Sequence, residues 1–224
     1  MAPHQSLNSL ACSSLLGIND DPKSSDQHQV VSKKVRRVPY RLHPERVHDL
    51  SRTDIAAILR GADELIMRGG RSLLARVLKG SRETRVLELG LDKSPVYGYY
   101  KGIPIEEVLA RIDWAIQRGY LAIEYDHRLP LLVYTERGWE IERETYATEL
   151  FDRFNRMLDS PATDHDMHYL KDRDRGLIML LLEKIEASGD LKYVPLLRAW
   201  RGIEYKKVRA RIQSVIENLS KGAS

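Results

Sequence analysis

Five residues within one short stretch, Lys79-Gly80-Ser81-Arg82 and then Arg85, combine the groups that hold phosphate. Phosphate oxygens are bound by Lys and Arg, by small hydroxyls, and by backbone amides at a helix start. Here Ser81 is placed to cap a short helix, and Arg85 follows it by four residues, on the same helical face. A loop containing Tyr97, Tyr99, Tyr100 and Lys101 adds aromatic rings for stacking and one further charge. His127 and Arg128 stand at the tip of an expected hairpin, a third point of contact. Each has a structural alternative: Ser81 as a plain cap, the tyrosines as core, and Arg128 as a solvated turn. Their convergence favours binding of nucleic-acid phosphates.

Catalytic chemistry finds less support. No Gly-x-x-x-x-Gly-Lys-Ser/Thr occurs, so the cradle of a nucleotide motor is missing, and Gly98 to Gly102 does not match its spacing. Asp164-His165-Asp166-Met167-His168 gathers ligand types in a polar linker, where a turn is expected because a metal needs rigidly held ligands. The seven histidines form no His-Glu-x-x-His pair, and the single Cys12 excludes an internal disulfide. The reading is a protein that is not an enzyme, with no catalytic residues, no metal and no cofactor.

The charge is uneven along the 224 residues, whose net charge is +4 and whose pI is near 9.1. Residues 30–53 carry seven Lys/Arg against two acids, and six basic residues lie between Arg68 and Arg85 against Glu83 alone. Residues 103–168 are acidic, and residues 169–224 are basic again. Clustered basic stretches fit a polyanion. The longest apolar run, Leu177–Leu182, is far short of the ~20 residues of a membrane helix. No membrane contact is expected, and a cytoplasmic chain, nucleoid-associated when DNA-bound, follows.

These residues need elements to place them. Residues 1–32 read as a disordered tail and 33–53 as a basic arm or linker, ending in Val38-Pro39-Tyr40-Arg41. Helical spacing begins at Asp54, with Ile55, Ile58, Leu59, Ala62 and Leu65 on one face and Ser51 as the cap. A second helix runs over about 72–78, and a short third extends from Ser81 to Leu89. A fourth runs over Ile105–Arg118, with Val108, Ile112 and Ala115 inward. The period then changes to two over Leu121–Tyr125, Asp126-His127-Arg128 turns, and Leu131–Thr135 returns. Three helices, with the short Ser81–Leu89 helix set aside, followed by a hairpin are the winged-helix order. Helices over 139–158, 172–187, 194–201 and 205–219 complete the chain, the last ones suggesting a HEAT-like helical hairpin. The expected class is mainly α with a small β-hairpin. The divisions are a winged helix at 54–145, a helix and linker at 146–168, and a C-terminal helical domain at 169–224.

The expected recognition helix, 105–118, carries Glu106, Glu107 and Asp113 against Arg111 and Arg118. Carboxylates facing a groove repel phosphate, so backbone contact is expected rather than base reading.

Val77-Leu78-Lys79-Gly80-Ser81, Arg85-Val86, Val96-Tyr97-Gly98, Ile116 to Leu121 and Leu132 to Gly138 together resemble the RecQ C-terminal (RQC) winged-helix domain. Tyr40–Pro44 and the C-terminal helices resemble a stand-alone bacterial set, the RQC-minor proteins, which has no helicase motor. The resemblance implies binding of duplex or forked DNA through phosphates, with Lys79, Gly80, Ser81 and Arg85 matching the backbone-contacting segment and Tyr125–Arg128 the wing. This sequence departs in its short wing, whose tip lacks an aromatic residue, and in lacking the four-cysteine zinc module. DNA repair, replication or defence is the implied setting, with a protein partner on the C-terminal helices. A protein-interaction adaptor or a transcription regulator is the alternative.

Overall fold

A computed structural model describes residues 36–159 and 165–222. Cys12, Asp164 and the 1–32 tail lie outside the described residues. Among the described residues the chain is mainly helical, with one two-stranded antiparallel sheet.

Helix α1 (Arg52–Ala62) starts where Ser51 Oγ accepts the Asp54 amide at 3.0 Å. It turns Ile55, Ile58, Leu59 and Ala62 inward. Helix α2 (Arg71–Lys79) ends on Gly80 in the left-handed conformation, and the five-residue α3 (Thr84–Glu88) follows. After a run of turns comes α4 (Ile105–Gln117). Strands β1 (Leu121–Asp126) and β2 (Leu129–Tyr134) pair with Asp126 opposite Leu129, so only His127 and Arg128 form the turn. His127 takes the positive φ, 50°, that so tight a turn requires. The outer edge of β2 is met by Met67 and Gly69, through bonds to both polar groups of the Leu132 backbone. A first core fills the space between these elements, with Ile58, Leu74, Leu78, Ile112 and Leu132 fully buried. Each such side chain contributes about 1.5–3 kcal/mol by leaving water.

The sequence places a helix start after Gly138, whereas α5 runs over Glu136–Leu158 with Gly138 in its first turn. Thr135 is the cap and accepts the Gly138 amide at 3.1 Å. The glycine serves a close approach: a Cβ there would lie 1.8 Å from the Tyr120 carbonyl oxygen.

Helices α6 (Arg175–Ala187), α7 (Val194–Ile203) and α8 (Lys206–Gly222) build a second core with the far half of α5. Trp200, Phe154, Leu181 and Ile212 are fully buried in it, and α8 packs on both α6 and α7. Helix α5 therefore serves both cores.

The two cores meet at Arg60, buried on α1. Its Nε donates to Glu149 Oε2 at 2.7 Å, Nη1 lies 3.4 Å from Asp63 Oδ2, and the guanidinium sits 4.3 Å from the Tyr146 ring centre. Glu142 is fully buried beside it, 3.8 Å from Nε, with neither carboxyl oxygen hydrogen-bonded to protein. Burial pushes its carboxyl up to about 9, with nearby Arg60 opposing, so Glu142 is protonated at neutral pH.

Candidate nucleic-acid interface

The sequence-predicted residues fall at the two ends of α2. At the C-terminal end, the turn after α2 and the tyrosine loop are laced together. Gly98 donates to the Val77 carbonyl at 3.0 Å and Tyr100 to that of Leu78 at 2.7 Å. Gly80 and Gly98 both have positive φ, 77° and 75°, and a Cβ on Gly80 would stand 3.0 Å from the Gly98 Cα. The two backbones touch there because Gly80 has no side chain. Lys79 straps the same loop, its ammonium donating to the carbonyls of Lys101, at 2.8 Å, and Ile103. One of its three N–H donors remains for a phosphate.

Ser81 does not occupy the cap position of α3. That position is Glu83, whose amide donates to Ser81 Oγ at 3.3 Å, while Tyr97 OH donates to the Ser81 carbonyl at 3.0 Å. The exposed cations at this end are Arg82, Arg85 and Lys101. Arg85 lines a cleft with Arg68, Glu64 and Glu88, and Arg76 is paired with Glu83 at 3.0 Å.

The expected stacking role of Tyr100 is corrected. Only 7% exposed, Tyr100 lies edge-on to Tyr99 with ring centres 4.8 Å apart and under the Arg111 guanidinium at 5.1 Å. Its hydroxyl donates to Asp54 Oδ1 at 2.7 Å, and burial, with the Asp54 bond second, pushes its ionisation well up. Burial also pushes the Asp54 carboxyl up, but bonds from Ser51 and Tyr100 and the charge of Arg111 outweigh it and hold the carboxyl low. Tyr100 thus ties the loop to α1. Tyr99, 46% exposed, keeps a free ring.

At the N-terminal end of α2, the basic arm lies on the wing. Val38 donates to the Arg128 carbonyl at 2.9 Å, Arg128 Nε to the Arg36 carbonyl at 3.1 Å, and Tyr125 OH to the Val38 carbonyl at 2.7 Å. Tyr40 packs on Tyr125 with centres 6.0 Å apart, and the Arg37 guanidinium lies 4.8 Å from the Tyr125 ring centre. Exposed Arg36, Arg37 and Arg41 thereby join His127 and Arg128 on one surface. His127 Nδ1 lies 2.7 Å from Asp126 Oδ1. Sequence reasoning missed this grouping because its members are some ninety residues apart; the Val38-Pro39-Tyr40 segment was its trace. The two ends of α2 are about 13 Å apart at 1.5 Å per residue.

Helix α4 is covered on most of its surface and exposes Glu106 and Gln117, with Arg118 exposed just past its end. Asp113, which looked like a groove-facing acid, is buried. Its carboxylate meets Arg71 Nη1 at 2.5 Å and accepts the His43 amide at 2.8 Å. Trp114 Nε1 donates to the His48 carbonyl at 3.3 Å. The chain's own residues 43–48 thus cover this face of α4. Among the described residues no three metal-ligating side chains cluster, and His168 Nδ1 bonds Asp166 Oδ1 at 2.8 Å on the surface.

Residues 47–152 match the family model of the RQC domain, so this part of the chain is an RQC domain. That domain is the winged helix associated with DNA binding in RecQ helicases. No curated protein and no solved structure gives a match. No helix among the described residues is long and apolar enough to cross a membrane.

Proposed function

We propose that the RQC domain at 47–152 holds duplex or branched DNA by its backbone phosphates, at the two ends of α2. Arg82, Arg85, Lys101 and the remaining donor of Lys79 form one grip, with Tyr99 as a stacking surface and the Gly80–Ser81 turn fixed beneath them. The arm and wing form the other, with Arg36, Arg37, Arg41, His127 and Arg128. The observation that carries this reading is the docking of the arm on the wing, which collects cations that the sequence scatters. The two grips lie beyond opposite ends of α2, a nine-residue helix, so they are two separate points of contact. The His127-Arg128 tip offers charge and no aromatic wedge, which suits holding DNA rather than splitting it.

The test is binding of the full chain to labelled blunt duplex, forked duplex and single strand over a salt series. Duplex or fork binding that falls steeply with salt is expected, and Arg82→Ala/Arg85→Ala should lower the slope of log K against log salt by about 1.8, some 0.9 per lost contact. Absence of duplex and fork binding at low salt, or an unchanged slope in that variant, overturns the reading. A fork preference would direct the role to repair or replication.

A further inference from the structure

The last helices restate the sequence of the winged helix one hundred residues earlier. Lys101–Ile116 reads KGIPIEEVLARIDWAI and Arg201–Ile216 reads RGIEYKKVRARIQSVI, identical at seven of sixteen positions. The shared residues are Gly-Ile at 102–103 and 202–203, Val108 and Val208, Ala-Arg-Ile at 110–112 and 210–212, and Ile116 and Ile216. The fold follows the repeat. Both stretches end in a helix, α4 and α8. Ile112 and Ile212 are both fully buried, and so are Ala115 and Val215. In the second copy α7 runs through Gly202-Ile203 and reaches α8 across Glu204-Tyr205, without the α3 and loop segment of the first. Buried Glu204 fixes that turn, accepting Trp200 Nε1 at 2.8 Å and the Tyr205 amide at 3.2 Å. Three helices with the third packed on the other two, and a two-residue turn between the last pair, follow the element order of a helix-turn-helix.

The copies differ on the outward face. Where α4 has Glu106, Glu107 and Leu109, α8 has Lys206, Lys207 and Arg209. Where Ala110 and Asp113 are buried, Ala210 is exposed and Gln213 half-exposed. Lys206, Arg209, Ala210 and Gln213 recur at i, i+3, i+4 and i+7, a face that flanks the buried stripe of Ile212, Val215 and Ile216. With Arg201 and Gly202 they line an open cleft of about 410 Å3. The ion pairs of this half, Lys184–Glu144, Lys192–Asp190 and Arg211–Glu186, use none of the face's cations. Arg209 is held over the turn by the Glu204 carbonyl at 2.9 Å, and Arg201 reaches Gln213.

We infer that α7 and α8 are a second DNA-binding helix-turn-helix, with α8 entering the major groove of the duplex. Lys206, Arg209 and Gln213 face base edges, and Lys207 and Arg201 take phosphates. A helix of 10–12 Å diameter fits a groove about 12 Å wide, and Arg or Lys reads guanine as Gln reads adenine. The inference rests on the proposed function for its class of partner and on different residues for its contacts.

The experiment gives α8 the charges of α4. Lys206→Glu/Lys207→Glu, with Lys206→Gln/Lys207→Gln as the milder pair, is compared with Arg82→Ala/Arg85→Ala in the full chain, on a duplex DNA and a duplex RNA of the same sequence. Thermal melting confirms that each variant folds. Both α8 variants should bind duplex DNA at least about tenfold more weakly at 0.1 M salt and lower the salt slope by about 0.9, for the phosphate contact of Lys207. The native chain should prefer DNA, because the RNA major groove is too deep and narrow for a helix. Native affinity and slope in both α8 variants, or equal binding to DNA and RNA, overturns the inference. Loss in the α8 variants with native behaviour in Arg82→Ala/Arg85→Ala would sustain it and overturn the placement of the phosphate grip in the RQC domain.

Discussion

Helices α4 and α8 bury the same two core positions, Ile112 with Ala115 and Ile212 with Val215, and differ on their outer faces. Around α4 the chain closes over itself: residues 43–48 lie on Asp113 and Trp114, and Arg71 neutralises the buried carboxylate. The same positions on α8 stay open, and its first turns carry cations where those of α4 carry acids. A helix third in a helix-turn-helix is not a groove reader by position alone. What covers it and what charge it bears decide that, and those are set by few residues outside the shared pattern. In the first copy contact passes to the flanks, the arm, the wing and the turn after α2. In the second the helix itself is left bare.

Matched core substitutions test the equivalence most severely. Ile112→Ala and Ile212→Ala each remove a fully buried side chain, and each should cost about 2–5 kcal/mol in urea unfolding. A loss well under 1 kcal/mol at Ile212 would mean that α8 is not built into a core as α4 is. Asp113→Ala acts on the difference between the copies. Leaving Arg71 half-buried without its carboxylate should cost about 3 kcal/mol and free the 43–48 segment, seen as faster tryptic cleavage at Arg41 and Arg46. Unchanged cleavage would show that Asp113 does not hold that cover.

The smallest effect is at the joint between the cores. Glu142 titrates near 4.5 in the unfolded chain and about 9 in the folded one. Between those values the folded chain keeps a proton that the unfolded chain has released, so stability falls as pH rises through the window. Glu142→Gln should remove that loss, stabilising at pH 7 by about 1–3 kcal/mol and matching the native chain near pH 4. An unaltered pH dependence between 5 and 8 would contradict the buried neutral acid.

Periodicity was enough to locate the helices, since Ile55, Ile58, Leu59 and Ala62, or Leu177, Leu181 and Ile185, can face one way only on a helix. It was blind to what they pack against. Spacing reads α6 and α7 as a HEAT-like hairpin; the likeness of Lys101–Ile116 to Arg201–Ile216, on which the helix-turn-helix inference rests, emerges only when the two stretches are set side by side. The site was legible where its residues are neighbours, as in Lys79 to Arg82. It was illegible where burial depends on distant elements. Tyr99 and Tyr100 are adjacent, yet Asp54 draws one ring inward and leaves the other out. A local pattern puts Gly138 outside the helix because the carbonyl of Tyr120, eighteen residues away, cannot be seen in it.

Helix α5 runs unbroken for 23 residues, about 34 Å, from the end of the wing into the second core. It acts as an axle with a fixed residue count. Inserting one residue near Arg143 would swing everything beyond it by about 100° and advance it about 1.5 Å. Two contact faces mounted on such an axle have a set phase, so they would meet a duplex in step only where its own helical turn brings the matching grooves round.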